Sequence, residues 1–122
     1  MKGRRTRCAT PAGVLEVRVA HSFVTRALGL LVGKPLGGGE GLLIAPCSSI
    51  HTFGMRYAID VVFLDRRGCV LRVCAAVGAA RMRIARHARG VLELRAGTAA
   101  GHGLVTGVQL PELALALGSN SS

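Results

Sequence analysis

Residues Val14 to Ala20 read Val-Leu-Glu-Val-Arg-Val-Ala, with Leu15, Val17 and Val19 set against Val14, Glu16 and Arg18. A period of two predicts a strand with one face in a core, because successive side chains point to opposite sides of a sheet. A Pro-Ala-Gly turn precedes it, so Arg5 to Thr10 is expected to pair with it as a hairpin. At Ser22 the period changes. Ser22 offers an N-cap side chain, and Phe23, Ala27, Leu30 and Leu31 recur at helical spacing until Gly33 and Pro35 stop the run. That spacing predicts a helix of about three turns. Gly37-Gly38-Gly39 forms a loop leading into Leu42-Leu43-Ile44, a short buried strand ended by Pro46.

In the second half, Val61–Leu64 and Cys69–Val73 flank Asp65-Arg66-Arg67-Gly68. This is a hairpin in which Gly68 takes the left-handed conformation of the turn. Val91 to Leu94 makes another strand, Thr98 opens a helix that Gly101 and Gly103 hold to a turn or two, and Leu104 to Leu110 makes a last strand. The chain shows no internal repeat and no linker, which predicts one domain over residues 1–122. The expected fold class is mainly β, a compact and mostly antiparallel barrel or sandwich with one short α-helix packed on it. A basic N-terminal tail is expected over about residues 1–7 and a frayed tail over 118–122.

The chain is 122 residues long, enough to bury roughly two-thirds of its unfolded surface. With three Phe, one Tyr and no Trp, its core must be built from Val, Leu, Ala and Ile. The net charge of +10 attracts anionic partners at low salt. Lys2, Arg4, Arg5 and Arg7 form one basic patch, and Arg81, Arg83, Arg86, His87 and Arg89 form a second. Either patch reads as a solvated surface, and Arg81, Arg83 and Arg86 alternatively form one side of an anion-binding loop. The shortage of aromatic rings counts against a single-strand nucleic-acid binder, which stacks bases on such rings. After Arg7 no uninterrupted apolar stretch of 7–15 residues precedes Glu16 and Arg18, so no export signal is expected. No apolar run approaches the length of a membrane span. The expectation is a cytoplasmic protein whose four cysteines, Cys8, Cys47, Cys69 and Cys74, are reduced thiols.

Ser49 to Asp65 joins the most chemistry to the most hydrophobicity. From Ile59 to Leu64 only Asp60 is polar, which predicts a strand covered on both faces with an acid inside it. A buried carboxylate costs several kcal/mol or more unless it is paired, and His51, Thr52 and Arg56 are the nearest candidate partners. In an extended chain His51, Phe53, Met55 and Tyr57 share one face and Thr52 and Arg56 the other, and a bulge at Gly54 would swing His51 or Arg56 toward Asp60. Two readings stay open. One is a site of His51, Asp60 and Arg56 in which the acid orients the histidine for proton transfer. The other is a buried ion pair that fixes register. Cys47 with His51, and Cys69 with Cys74, are poorly spaced for zinc, so neither a metal site nor a cofactor is expected. No Gly-x-Ser-x-Gly elbow occurs, and Gly33-Lys34 lacks the spacing of a phosphate loop.

The run Gly41-Leu42-Leu43-Ile44-x-Pro46-Cys47-x-x-Ile50-His51-Thr52-x-Gly54-Met55-Arg56-x-x-Ile59-Asp60-Val61-x-Phe63-Leu64-Asp65 resembles the hallmark of the prokaryotic family known as domain of unknown function 192. The resemblance continues through Gly68-x-Val70, Val91-Leu92-Glu93-Leu94-x-Ala96-Gly97 and Gly103-Leu104. It implies a compact, mainly β domain and singles out His51, Thr52, Met55, Arg56 and Asp60. It implies no activity. Family members that are exported, or encoded near pilus or secretion genes, suggest an accessory role at the cell envelope. This chain has Leu28-Gly29-Leu30-Leu31 where the family helix carries Arg-Gly-Leu-Met, and Thr106-Gly107-Val108 where the closing strand carries Gly-Asp. A site built on that arginine or aspartate is not carried over. The functional expectations are therefore three: a non-enzymatic accessory or binding domain with a protein or other anionic partner, a hydrolase-like or metal-dependent enzyme using His51 and Asp60, and a basic nucleic-acid-binding module.

Overall fold

The computed structural model describes residues 4–20, 36–47, 49–51, 57–78 and 81–118. The alternating run near the N-terminus forms β2 (Gly13–Ala20), which pairs antiparallel with β1 (Arg4–Thr10) from Arg4 opposite Val19 to Thr10 opposite Gly13. β3 (Glu40–Ile44) runs parallel to β2. A parallel neighbour needs a long crossover, and the 19 residues between Ala20 and Glu40 supply it. The helix expected from Ser22 falls in this connection, outside the described residues.

β5 (Ile59–Leu64) and β6 (Val70–Val77) form the expected hairpin, and β8 (Gly90–Arg95) inserts between β5 and β3. The six strands lie in the order β1-β2-β3-β8-β5-β6, with β2–β3 the parallel pair and the rest antiparallel. A separate ribbon joins β4 (Ser49–His51) to β7 (Met82–Ile84), placing His51 opposite Met82. α1 (Thr98–Gly101) is the short helix that Gly101 was expected to limit, and a 3-10 turn follows at Pro111–Leu113. Among the described residues no helix is long and apolar enough to cross a membrane.

Both faces of the central strands β3, β5 and β8 are buried. Leu15, Val17, Val19, Leu43, Val62, Leu64, Leu92 and Leu94 make one face, capped by Leu104, Leu110, Leu113 and Leu117 from the C-terminal segment. Leu42, Ile44, Ile59, Val61, Phe63, Cys74 and Val91 make the other, together with Cys47 and Ala85 from the flanks of the ribbon. This double cover is why β5 reads as an unbroken apolar run.

The expected class, mainly β with a minor helix, holds, and three finer expectations change. The sheet is open, not a barrel, with β1 and β6 at its two edges. Segments packed on each face bury the central strands without closure, and the exposed Arg5 and Arg7 keep the β1 edge charged. Arg4, Arg5 and Arg7 stand in a paired strand where a basic tail was expected, and Arg7 Nε meets Glu16 Oε2 at 2.8 Å. Leu104 to Leu110 is not a strand. Gly103 and Gly107 adopt φ of 70° and 97°, which breaks the extended path. The segment instead docks on the β5–β6 turn through bonds from Val70 N to Val108 O, Gly107 N to Val70 O and Leu110 N to Gly68 O, and by an isolated bridge between Cys69 and Gln109.

In that turn Asp65 Oδ1 accepts from the amides of Arg67 and Cys69 at 2.8 and 2.9 Å, and Gly68 has φ of 86°. A Cβ on Gly68 would run into the carbonyl of Leu110. Gly68→Ala is expected to lose more than about 2 kcal/mol, since the left-handed conformation alone costs an L-residue ~1–2 kcal/mol. Urea unfolding checks this, and an unshifted midpoint would mean that the contact with Leu110 yields freely.

Candidate functional site

Asp60 points from β5 to the face that carries Val62 and Leu64, and it is 1% exposed. Opposite it β6 holds one residue too many: Ile59 pairs with Val77 while Val61 pairs with Cys74. In this bulge Ala76 takes a left-handed φ of 51°, and its amide donates to Asp60 Oδ1 at 2.8 Å. The other oxygen, Oδ2, accepts from the amides of Gly97 at 3.0 Å and Ala99 at 2.9 Å, at the start of α1. Gly97, the N-cap residue, has no side chain to satisfy those donors, so an acid from a distant strand does it. Each such charge-assisted bond contributes roughly 1.5–3 kcal/mol.

The acid was expected to find its partner in the segment just before it. Among the described residues it accepts from three main-chain amides, of β6 and of the start of α1. Thr52, Met55 and Arg56 lie outside the described residues. The backbone of His51 belongs to the ribbon, which is tied to the opposite face through Cys47, Ala85 and the Arg72 guanidinium, whose Nη1 donates to Ile84 O at 2.7 Å. Arg83 lies within β7, its Nη1 donating to Met82 O at 2.8 Å, and Arg81 and Arg86 are exposed at the two ends of that strand.

That opposite face holds a second acid, which the sequence reading passed over. Glu93 in β8 is fully buried and stands between Leu42 and Val61. The signal that marked Asp60, an acid inside an apolar run, marks Val91-Leu92-Glu93-Leu94 equally. Tyr57 senses this carboxylate. Burial, and then the charge of Glu93, raise its hydroxyl above the ordinary value, and the hydroxyl oxygen is buried with no hydrogen-bond partner among the described residues. No disulfide joins any of the four cysteines, and burial, with Glu112 adding to it, pushes Cys8 up to about 11. Among the described residues no group of three or more His, Cys, Asp or Glu is arranged to hold a metal ion.

Asp60→Asn removes one acceptor and turns an NH2 group toward backbone donors, so it is expected to lose about 3 kcal/mol. Thermal and urea unfolding measure this, and an unchanged melting temperature would deny the carboxylate its structural role. Tyr57 is the only tyrosine and there is no tryptophan, so the tyrosinate absorbance band reports it alone. In Glu93→Gln its titration midpoint should fall only part of the way toward the ordinary value, because burial is the larger cause. The stability linked to this group is complete below the unfolded value near 10 and is lost as pH rises through the folded one. A midpoint identical in the wild type and Glu93→Gln would show that the two groups do not interact.

The family DUF192, described as "Uncharacterized ACR", matches this chain over residues 6–111. UPF0127 protein PH1112 of Pyrococcus horikoshii is 47% identical over 53 residues, which are 41% of this chain and 46% of that protein. The match thus spans less than half of that relative's length. Among solved structures, a protein of Sinorhizobium meliloti 1021 described as a candidate transcription regulator has a TM-score of 0.75 at 21% identity, over 90% of this chain and 95% of its own. A protein of unknown function from Novosphingobium aromaticivorans has a TM-score of 0.72 at 21% identity, over 86% of this chain and 81% of its own. At such identity the two structures share the fold. With a match that runs from β1 to the 3-10 turn, the chain belongs to the uncharacterised DUF192 family.

Proposed function

We propose that this protein is a small accessory or binding domain, in which Asp60 holds the sheet in shape and an exposed arginine face takes an anionic partner. The observation that carries this reading is the placement of Asp60. A carboxylate 1% exposed, with both oxygens engaged by main-chain amides, is poorly situated to orient a histidine toward a substrate. Charge supplies the second support. Residues 66–92 contain seven arginines and His87 without a single acid. Six of those arginines are exposed and Arg83 is half-buried. Such a one-signed surface raises the local concentration of anions. An accessory role at the cell envelope, beside secretion or pilus machinery, is the setting we propose for it.

The test is to titrate the protein with duplex DNA, polyglutamate and phosphatidylserine vesicles at physiological salt, alongside the variant Arg81→Gln/Arg83→Gln/Arg86→Gln. Binding to at least one of the three is expected, weakened at least about tenfold in the variant because each arginine near an anionic surface contributes ~1 kcal/mol. The variant should stay folded, with at most a small fall in melting temperature, since Arg81 and Arg86 are exposed and Arg83 is half-buried and, among the described residues, bonds only to the carbonyl of its neighbour. Silence toward all three probes, or equal binding by the variant, overturns the reading. Binding only to DNA, falling by about 0.9 log units per tenfold salt for each phosphate neutralised, would make it a nucleic-acid module.

A further inference from the structure

Strand β7 exposes Met82 by 61% and Ile84 by 56%. Standing two apart, they leave the strand on the same side, while Arg83 between them is half-buried and Ala85 beyond them is buried. Other exposed apolar side chains, Val14, Val105 and Leu115, occur singly, which is ordinary for a protein surface. The β7 pair differs because arginines surround it. Arg81 and Arg86 flank it in sequence, and Arg72 reaches it from β6.

We propose that this ribbon is a membrane-contact device: Met82 and Ile84 enter the boundary between headgroups and acyl chains of an anionic bilayer, while the surrounding arginines hold lipid phosphates. The proposal rests on the binding-domain reading above and commits its anionic partner to lipid. A bilayer is the anionic surface that keeps an apolar interior directly behind its phosphates, so both halves of the patch find a complement in it. Guanidinium groups suit phosphate oxygens because their planar donors engage two at once. Nucleic acid would use the arginines but leave the methionine and isoleucine in water, and this chain has few rings on which to stack bases. An extended acidic peptide adding to the β7 edge is disfavoured because the Arg72 and Arg83 guanidinium groups already occupy the carbonyls of Ile84 and Met82.

Co-sedimentation of the full chain with neutral phosphatidylcholine vesicles and with vesicles about one-third phosphatidylserine tests this. The wild type should bind the anionic vesicles and ignore the neutral ones. Met82→Ser/Ile84→Ser should bind the anionic vesicles at least about tenfold more weakly with an unchanged melting temperature, the loss expected when two side chains no longer enter the acyl boundary. If the serine variant binds as well as the wild type while the arginine variant does not, lipid insertion is overturned and the binding-domain reading stands. If duplex DNA or polyglutamate is bound and vesicles are not, insertion is again overturned and the broader reading survives. If the wild type binds none of these probes, both fall.

Discussion

A carboxylate held by three backbone amides organises this fold. Asp60 joins the β6 bulge to the first turn of α1, whose N-cap glycine has no side chain to satisfy the helix's first donors. Ala76 sits in a left-handed conformation that costs an L-residue ~1–2 kcal/mol, and the bond to Asp60 offsets that cost. Without the acid, three amides near the edge of the core would lose their acceptor. Neither the bulge nor the four-residue helix has the local contacts to persist alone.

Double burial of the sheet follows from the same arrangement. α1 and the segment behind it cover the Asp60 face, and the ribbon is tied to the other, so β3, β5 and β8 carry apolar residues on both sides. Each face accepts one acid. Asp60 is satisfied by main chain, whereas Glu93 faces the side on which Tyr57 lies and its charge is felt at that hydroxyl. Two acids one strand apart therefore do unlike things, because the pleat sends them to opposite layers.

Burying Asp60 and Glu93 also shapes the exterior. Two of the six acids are withdrawn from the surface, Glu16 is met by Arg7, and Asp65 turns its carboxylate to the amides of its own turn. The segment between Asp65 and Glu93, which holds seven arginines and no acid, is thereby left strongly positive. A positive field of this kind comes from where the acids went as much as from how many bases there are.

The sequence by itself determined several of the strands, because local alternation and turn chemistry are enough to specify them: Leu15, Val17 and Val19 for β2, Gly68 for the β5–β6 turn, and the apolar run around Asp60 for a strand covered twice. It also determined that Asp60 needed a partner, since desolvating a charge is costly wherever it happens. Which partner was a tertiary decision. The donors among the described residues lie 16, 37 and 39 positions away along the chain, and backbone amides have no letter in a sequence. The open order of the strands and the fate of Leu104 to Leu110 were decided in the same way, by which segments pack on each face. Glu93 lay between the two cases: its apolar surroundings were written in the chain, but only the pairing of β8 between β3 and β5 shows that it is sealed from water.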